Sequence, residues 1–269
     1  MFVIPFGFFG GGAAYDDDAQ AFFDAVEGGG DTLTDTEKSA VNTLVVNLKV
    51  YGIWTGMTAF YPYVGGTSSS TKWNLKDPRD LDAAHRIEWY GTVTHTNGVQ
   101  GNGGAGDYGW TNVNPSTTVS SNTNYNFGGY GLTTNTSNGS MMGVESPGSN
   151  YAFYDYFNGN YLLNLGKGYK SASNVGTSGL FVAGAFSDSH QMYRNGNNLI
   201  IDDATTPDTL PNQIWTVLGN NTNQSEGGNI SDPSNRKYSF HFFYDGSMTS
   251  TELDNFYTAA TSFNTTLSR

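Results

Sequence analysis

GLFVAGAF (Gly179–Phe186), YRNG (Tyr193–Gly196) and NLIID (Asn198–Asp202) form the stretch that decides the fold. Short apolar, β-branched and aromatic runs flank an Asn-Gly pair. Asn tolerates a left-handed backbone and Gly adopts one freely, so Asn195-Gly196 marks a tight hairpin turn. The same pattern extends in both directions, from Ile87 to Tyr244. Further runs lie at Ile87–Val93, Asn124–Phe127, Met142–Val144, Tyr151–Tyr156 and Lys237–Tyr244. Asn97-Gly98, Asn102-Gly103, Asn138-Gly139, Asn158-Gly159 and Asp245-Gly246 supply further turn pairs. Many short strands separated by such turns predict an all-β antiparallel sandwich or barrel.

Helical patterns flank the strands. Asp18 is the expected cap of a short helix with Phe22, Phe23 and Val26 on its inner face, ended by Gly28-Gly29-Gly30. Thr34 with Glu37 reads as a capping box, and so does Thr249 with Glu252. Behind the first, Val41, Leu44, Val45 and Leu48 recur at helical spacing, and the helix is expected to run to about Tyr51. Behind the second, Leu253, Phe256, Tyr257, Ala260, Phe263 and Leu267 share one face. The reading divides the chain into an apolar arm (1–14), a helical segment (15–66) and a sandwich with its terminal helix (67–269).

The composition narrows the function. The 269 residues carry 12 basic and 24 acidic side chains, net charge −12, with no basic cluster, which disfavours nucleic acid. There is no cysteine, so disulfides, thiolate metal sites and a cysteine nucleophile are excluded, and assembly in a cytoplasm is favoured. No run reaches the ~18 apolar residues of a membrane span. The opening MFVIPFGFFGGGA lacks the basic start of a signal peptide. Its Phe2, Phe6, Phe8 and Phe9 must be covered, either by the chain's own domain or by a neighbour in which they anchor it.

Four blocks resemble a known group: Asp18–Phe22, Leu33–Leu48 (LTDTEKSAVNTLVVNL), Tyr61–Gly66 running on to Asn74–Pro78, and Phe256–Phe263. Together they resemble the laminin-G-like, concanavalin-A-like jelly-roll structural proteins of tailed bacteriophage virions, particularly of phages infecting Bacteroidetes. The Tyr193–Gly196 hairpin matches that class. The resemblance implies a jelly-roll sandwich displayed on a head, fibre or tail, assembled in the host bacterial cytoplasm. It also implies other virion proteins as partners and a homo-oligomer, with a trimer expected.

Local signals for catalysis are sparse. Jelly-roll glycosidases need two carboxylates across a scissile bond, with a Glu-x-Asp-x-x-Glu strand signature. The six glutamates, Glu27, Glu37, Glu88, Glu145, Glu226 and Glu252, do not have that spacing, and Glu88 and Glu145 read as isolated strand residues. His85, His95, His190 and His241 are dispersed, without a zinc motif, and His241 is expected on the outer face of its strand. Asp16-Asp17-Asp18 reads as a helix start in preference to a Ca²⁺ site. Trp73, Trp110, Tyr125 and Tyr130 lie in polar loop context, as sugar-binding aromatics of sandwiches do, but half or more of such aromatics are ordinary core or rim residues, so they name no sugar site. The expectation is therefore a non-enzymatic virion structural protein, without metal or cofactor, attaching or decorating through its arm. The alternative is a lectin-like module for host-surface glycans, and behind it a polysaccharide-degrading enzyme.

Overall fold

The computed structural model describes residues 14–134, 137–146, 149–166, 168–173, 176–187, 189–202, 209–222 and 226–269. Phe2, Phe6, Phe8 and Phe9 lie outside the described residues. The chain opens with α1 (Asp17–Gly28), α2 (Asp35–Val50) and β1 (Met57–Pro62). Then come β2 (Glu88–Tyr90), β3 (Val99–Gln100), β4 (Tyr108–Trp110), α3 (Pro115–Thr118), β5 (Asn124–Gly131) and β6 (Met142–Ser146). A meander follows, β7 (Ser149–Phe157), β8 (Asn160–Leu165) and β9 (Tyr169–Ser173), then β10 (Gly179–Phe186), β11 (Ser189–Arg194) and β12 (Asn197–Asp202). The last elements are β13 (Thr216–Val217), β14 (Asn220–Asn221), β15 (Lys237–Asp245) and α4 (Ser250–Thr266).

The strands form two sheets. The first runs β1-β15-β5-β10-β11-β12, with β3 also on β15. The second runs β2-β4-β13-β6-β7-β8-β9, with β14 joined to β6. All pairings are antiparallel except that of β14 with β6. The all-β sandwich expected from the turns is therefore present. Two of its hairpins close on Asn-Gly pairs as read, while Asn138-Gly139, read the same way, takes no left-handed turn. Asn195 (φ 52°) and Gly196 (φ 79°) are both left-handed between the paired Arg194 and Asn197. Asn158 (φ 49°) and Gly159 (φ 83°) repeat this between Phe157 and Asn160.

Two apolar layers result. Between the sheets lie Phe127, Phe153, Phe181, Trp215 and Phe243, with the Phe127 and Trp215 rings 4.4 Å apart. An ion pair pins that layer: Arg236 Nη1 lies 2.7 Å from Asp155 Oδ1, both at most 1% exposed, and the Tyr238 hydroxyl donates to Asp155 Oδ2 at 2.9 Å. The second layer lies outside the first sheet. There α1, α2 and α4 pack their Phe22, Phe23, Val41, Leu44, Leu48, Phe256 and Phe263 onto Phe60, Leu180, Val182, Phe240 and Phe242. Both capping boxes form as read, with Glu37 N donating to Thr34 Oγ1 and Glu252 N to Thr249 Oγ1, each at 3.2 Å.

Three local expectations are corrected. The cap of α1 is Asp16, whose Oδ1 accepts from Asp18 N at 3.1 Å, while Asp18 binds Lys49 and the Trp54 indole. A salt-bridged Asp inside the first turn suits the helix dipole as well as a cap does. Residues 57–62, inside the segment read as helical, form β1, because Phe60 and Tyr61 find partners in Phe242 and His241 at the far end of the chain. His241 is fully buried between the sheets, not on an outer face. It pairs through Nδ1 with the Tyr63 hydroxyl at 2.8 Å, and burial pushes its pKa down to about 3.

Candidate functional site

The cluster under α1, α2 and α4 draws its strand residues from the first sheet alone. The outer face of the second sheet is thus left to be met by something else. Cross-strand partners share a face, so Glu88, Tyr90, Tyr108 and Trp110 project together from β2 and β4. Trp89, between Glu88 and Tyr90, points inward onto the core. A strap through Asn220 and Ile230 crosses this face: Asn220 and Ser231 exchange backbone hydrogen bonds at 2.9 Å, and Ile230 covers Tyr108 and Trp110.

Beside the strap, at the β2 edge, lies a cleft of about 460 Å³ walled by Ser68, Ser69, Lys72, Arg86, Glu88 and Trp89. Ser69 and Lys72 also wall a second hollow of about 420 Å³, which reaches Asp24, Gly29 and Trp73 at the end of α1. The loop carrying Lys72 is tied to the strand by Ile87 N donating to Lys72 O at 2.8 Å.

Charges in this cleft are paired in a chain. Lys72 Nζ lies 2.6 Å from Asp80 and 4.6 Å above the Trp73 ring. Arg86 holds Asp80 at 2.9 Å, Asp82 at 2.9 Å and Glu88 at 2.7 Å. The hydrogen bonds from Lys72 and Arg86 hold the Asp80 carboxyl below its ordinary range, and the bond to Asp80 raises Arg86. The Tyr90 hydroxyl donates to Glu226 at 2.5 Å and lies 3.4 Å from Glu88. Contact with Glu226 raises the Glu88 carboxyl, while donation from Tyr90 and then from Glu88 lowers Glu226. Tyr90 is braced by a ring stack on Tyr108, centroids 4.9 Å apart.

Hydroxyls, paired cations and carboxyls at one cleft offer donors and acceptors side by side, which is what a sugar's hydroxyls use. Two carboxyls in hydrogen-bonding contact are closer than the roughly 5–9.5 Å that brackets a glycosidic bond in hydrolysis.

The aromatics of polar loop context are core or rim residues. Tyr125 lies on β5 and is buried in the core, and Tyr130 packs under the helices. Trp110 lies beneath Ile230, and Trp73 is 6% exposed. Glu88, read as isolated, sits among Arg86, Tyr90 and Glu226. Its partner Glu226 lies in a polar loop 136 positions beyond Tyr90, so no local spacing signals the pair.

The chain matches no family model and no curated protein sequence. Among solved structures it is similar to a mutant Trypanosoma rangeli sialidase displaying trans-sialidase activity, at 14% identity and TM-score 0.53. It is similar also to Trypanosoma rangeli sialidase in complex with a difluoro sugar acid, at 12% identity and TM-score 0.51. Each of these alignments covers 82% of this chain and 39% of the sialidase. A mutant of HCR/D aligns at 12% identity and TM-score 0.50, over 77% of this chain and 53% of that one. The chain therefore spans well under two thirds of the structures it matches, and what it shares with them is the β-sandwich fold.

Proposed function

We propose that the chain is a non-enzymatic carbohydrate-binding module whose ligand lies in the cleft at the β2 edge. One observation carries this reading: the cleft at the β2 edge is lined by hydroxyls and paired charges. The contact between Glu88 and Glu226 favours binding over hydrolysis. Sialidases among the fold neighbours support the reading at the level of fold alone.

The setting we propose is the surface of a bacteriophage particle, where the module is a structural protein assembled in the host cytoplasm. It meets other virion proteins, and host-surface glycan is its attachment target. The support is the resemblance of its sequence blocks. Asp18–Phe22 lies in α1, Leu33–Leu48 leads into and forms α2, and Phe256–Phe263 lies in α4. Three of the four blocks thus build the layer over the first sheet. Homo-oligomerisation, as a trimer, belongs to the same proposal, and light scattering should then give about three times 29.0 kDa.

A glycan array tests the binding. The full chain should retain a defined set of glycans, and Glu88→Ala with Lys72→Ala should lose them without a change in melting. Failure of the chain to hold any glycan, or unchanged binding by the double variant, sinks the cleft reading.

A further inference from the structure

The far edge of the same face holds a second arrangement. In the meander, Ala152 lies opposite Asn164, which lies opposite Tyr169, and Leu162 lies opposite Ser171. The alternate residues Phe153, Leu163 and Leu165 fill the core, so the first row faces out. β9 alternates accordingly, with Tyr169, Ser171 and Ser173 exposed and the residues between them half-buried. Tyr169 is one of the few large apolar side chains in the open, at 48% exposure.

Its ring is not loose. Tyr154 meets it edge-on, centroids 5.8 Å apart at 65°, and Phe157 braces Tyr154 from another side at 5.5 Å. The Tyr154 hydroxyl donates to Asp232 at 2.9 Å and lies 3.4 Å from the Tyr169 hydroxyl. A fixed aromatic ring with Ser171 next along its row is a stacking platform with a small neutral hydrogen-bonding group beside it, and Ser173 and Asn160 lie roughly 13 Å along the same row. Stacking on such a ring uses the C–H face of a sugar, Ser171 meets its hydroxyls, and Ser173 with Asn160 lies where a further sugar unit would reach. Among the described residues, the outward row from Ala152 to Ser173 carries no cation to attract an anion. A single half-exposed ring is too little apolar surface for a protein partner.

We infer that the Tyr169 platform is a second carbohydrate contact, for an uncharged sugar unit. The inference rests on the reading that the cleft binds glycan, because the two lie at opposite edges of one sheet. β2 and β9 are the two edges of the sheet's main path, six strand spacings apart, or roughly 29 Å. One glycan-coated surface therefore meets both, and the second contact forms at high effective concentration.

Surface plasmon resonance on immobilised dextran, mannan and galactan, with the full chain, decides the matter. Tyr169→Ala should fold normally and weaken retention about tenfold or more. Tyr169→Phe, which keeps the ring, should bind like the wild type. If Tyr169→Ala binds as well as the wild type while Glu88→Ala loses binding, the platform is wrong and the cleft stands. If Glu88→Ala binds normally and Tyr169→Ala does not, the platform stands and the cleft reading fails. Retention on none of the three polysaccharides overturns the platform.

Discussion

Strand β10 reads GLFVAGAF, and every residue of it is buried; β9 reads YKSAS, and exposure alternates along it. The two strands belong to different sheets, and the difference lies in what covers each outer face. Over the first sheet, α1, α2 and α4 seal Leu180, Val182, Phe240 and Phe242. Over the second, Tyr169, Ser171 and Ser173 meet solvent. A strand apolar on both faces thus announces a third layer, and a strand with one polar face announces a surface for use.

The sharpest way to break this contrast is to damage each layer and compare. Phe256→Ala removes a fully buried ring that touches Phe60, Phe240 and Phe242, and should cost about 3–5 kcal/mol in a denaturant melt. A silent result would mean that the helices do not stabilise the first sheet. Between the sheets, Asp155→Ala leaves Arg236 buried without its carboxylate and should cost a similar ~3–5 kcal/mol. An effect under about 1 kcal/mol would show that water reaches the guanidinium.

Acid probes the same interior. His241 is neutral in the fold down to about pH 3, whereas the unfolded chain takes up that proton near 6.5. The unfolded state therefore binds more protons across this window, and stability falls as pH drops from about 6.5 towards 3. His241→Gln should flatten the dependence of melting temperature on pH in that range. An unchanged slope would place the acid sensitivity elsewhere.

Smaller effects sharpen the comparison at its margins. Thr249→Ala breaks the capping box of α4 and should cost about 1 kcal/mol. Tyr169→Ala, on the uncovered face, should stay within about 0.5 kcal/mol of the wild type. A loss as large as that at Phe256 would mean that the second sheet's outer face is structural and not a binding surface.

What was legible in the sequence follows from the range of the interactions. Capping boxes, the Asn158-Gly159 and Asn195-Gly196 turns and the spacing from Val41 to Leu48 act within a few residues and formed as read, whereas Asn138-Gly139 takes no left-handed turn and Asp245-Gly246 leads from β15 to α4. β1 was not legible, because its strand pairing is made with residues close to the C-terminal helix. The burial of His241 depends on Tyr63, a residue of another segment. For the cleft, Arg86 and Glu88 are adjacent enough to suggest an ion pair, yet Glu226 joins them only through the fold. The exposed Tyr169 of the platform carries no signal that separates it from the buried tyrosines of neighbouring strands.

The placement of β15 has a consequence for biosynthesis. It lies between β1 and β5, and β1 has no other strand partner among the described residues. A ribosome delivers α1, α2 and β1 early and β15 with α4 late. Until Lys237–Asp245 emerges, Phe60, Leu44 and Phe22 lack their final cover, and the first sheet stays in separate pieces. Such long-range closure is slow and leaves apolar edges open to misassociation meanwhile. Nascent chains stalled before residue 237 are therefore the form of this protein most in need of a chaperone, and the last strand works as the latch that releases it.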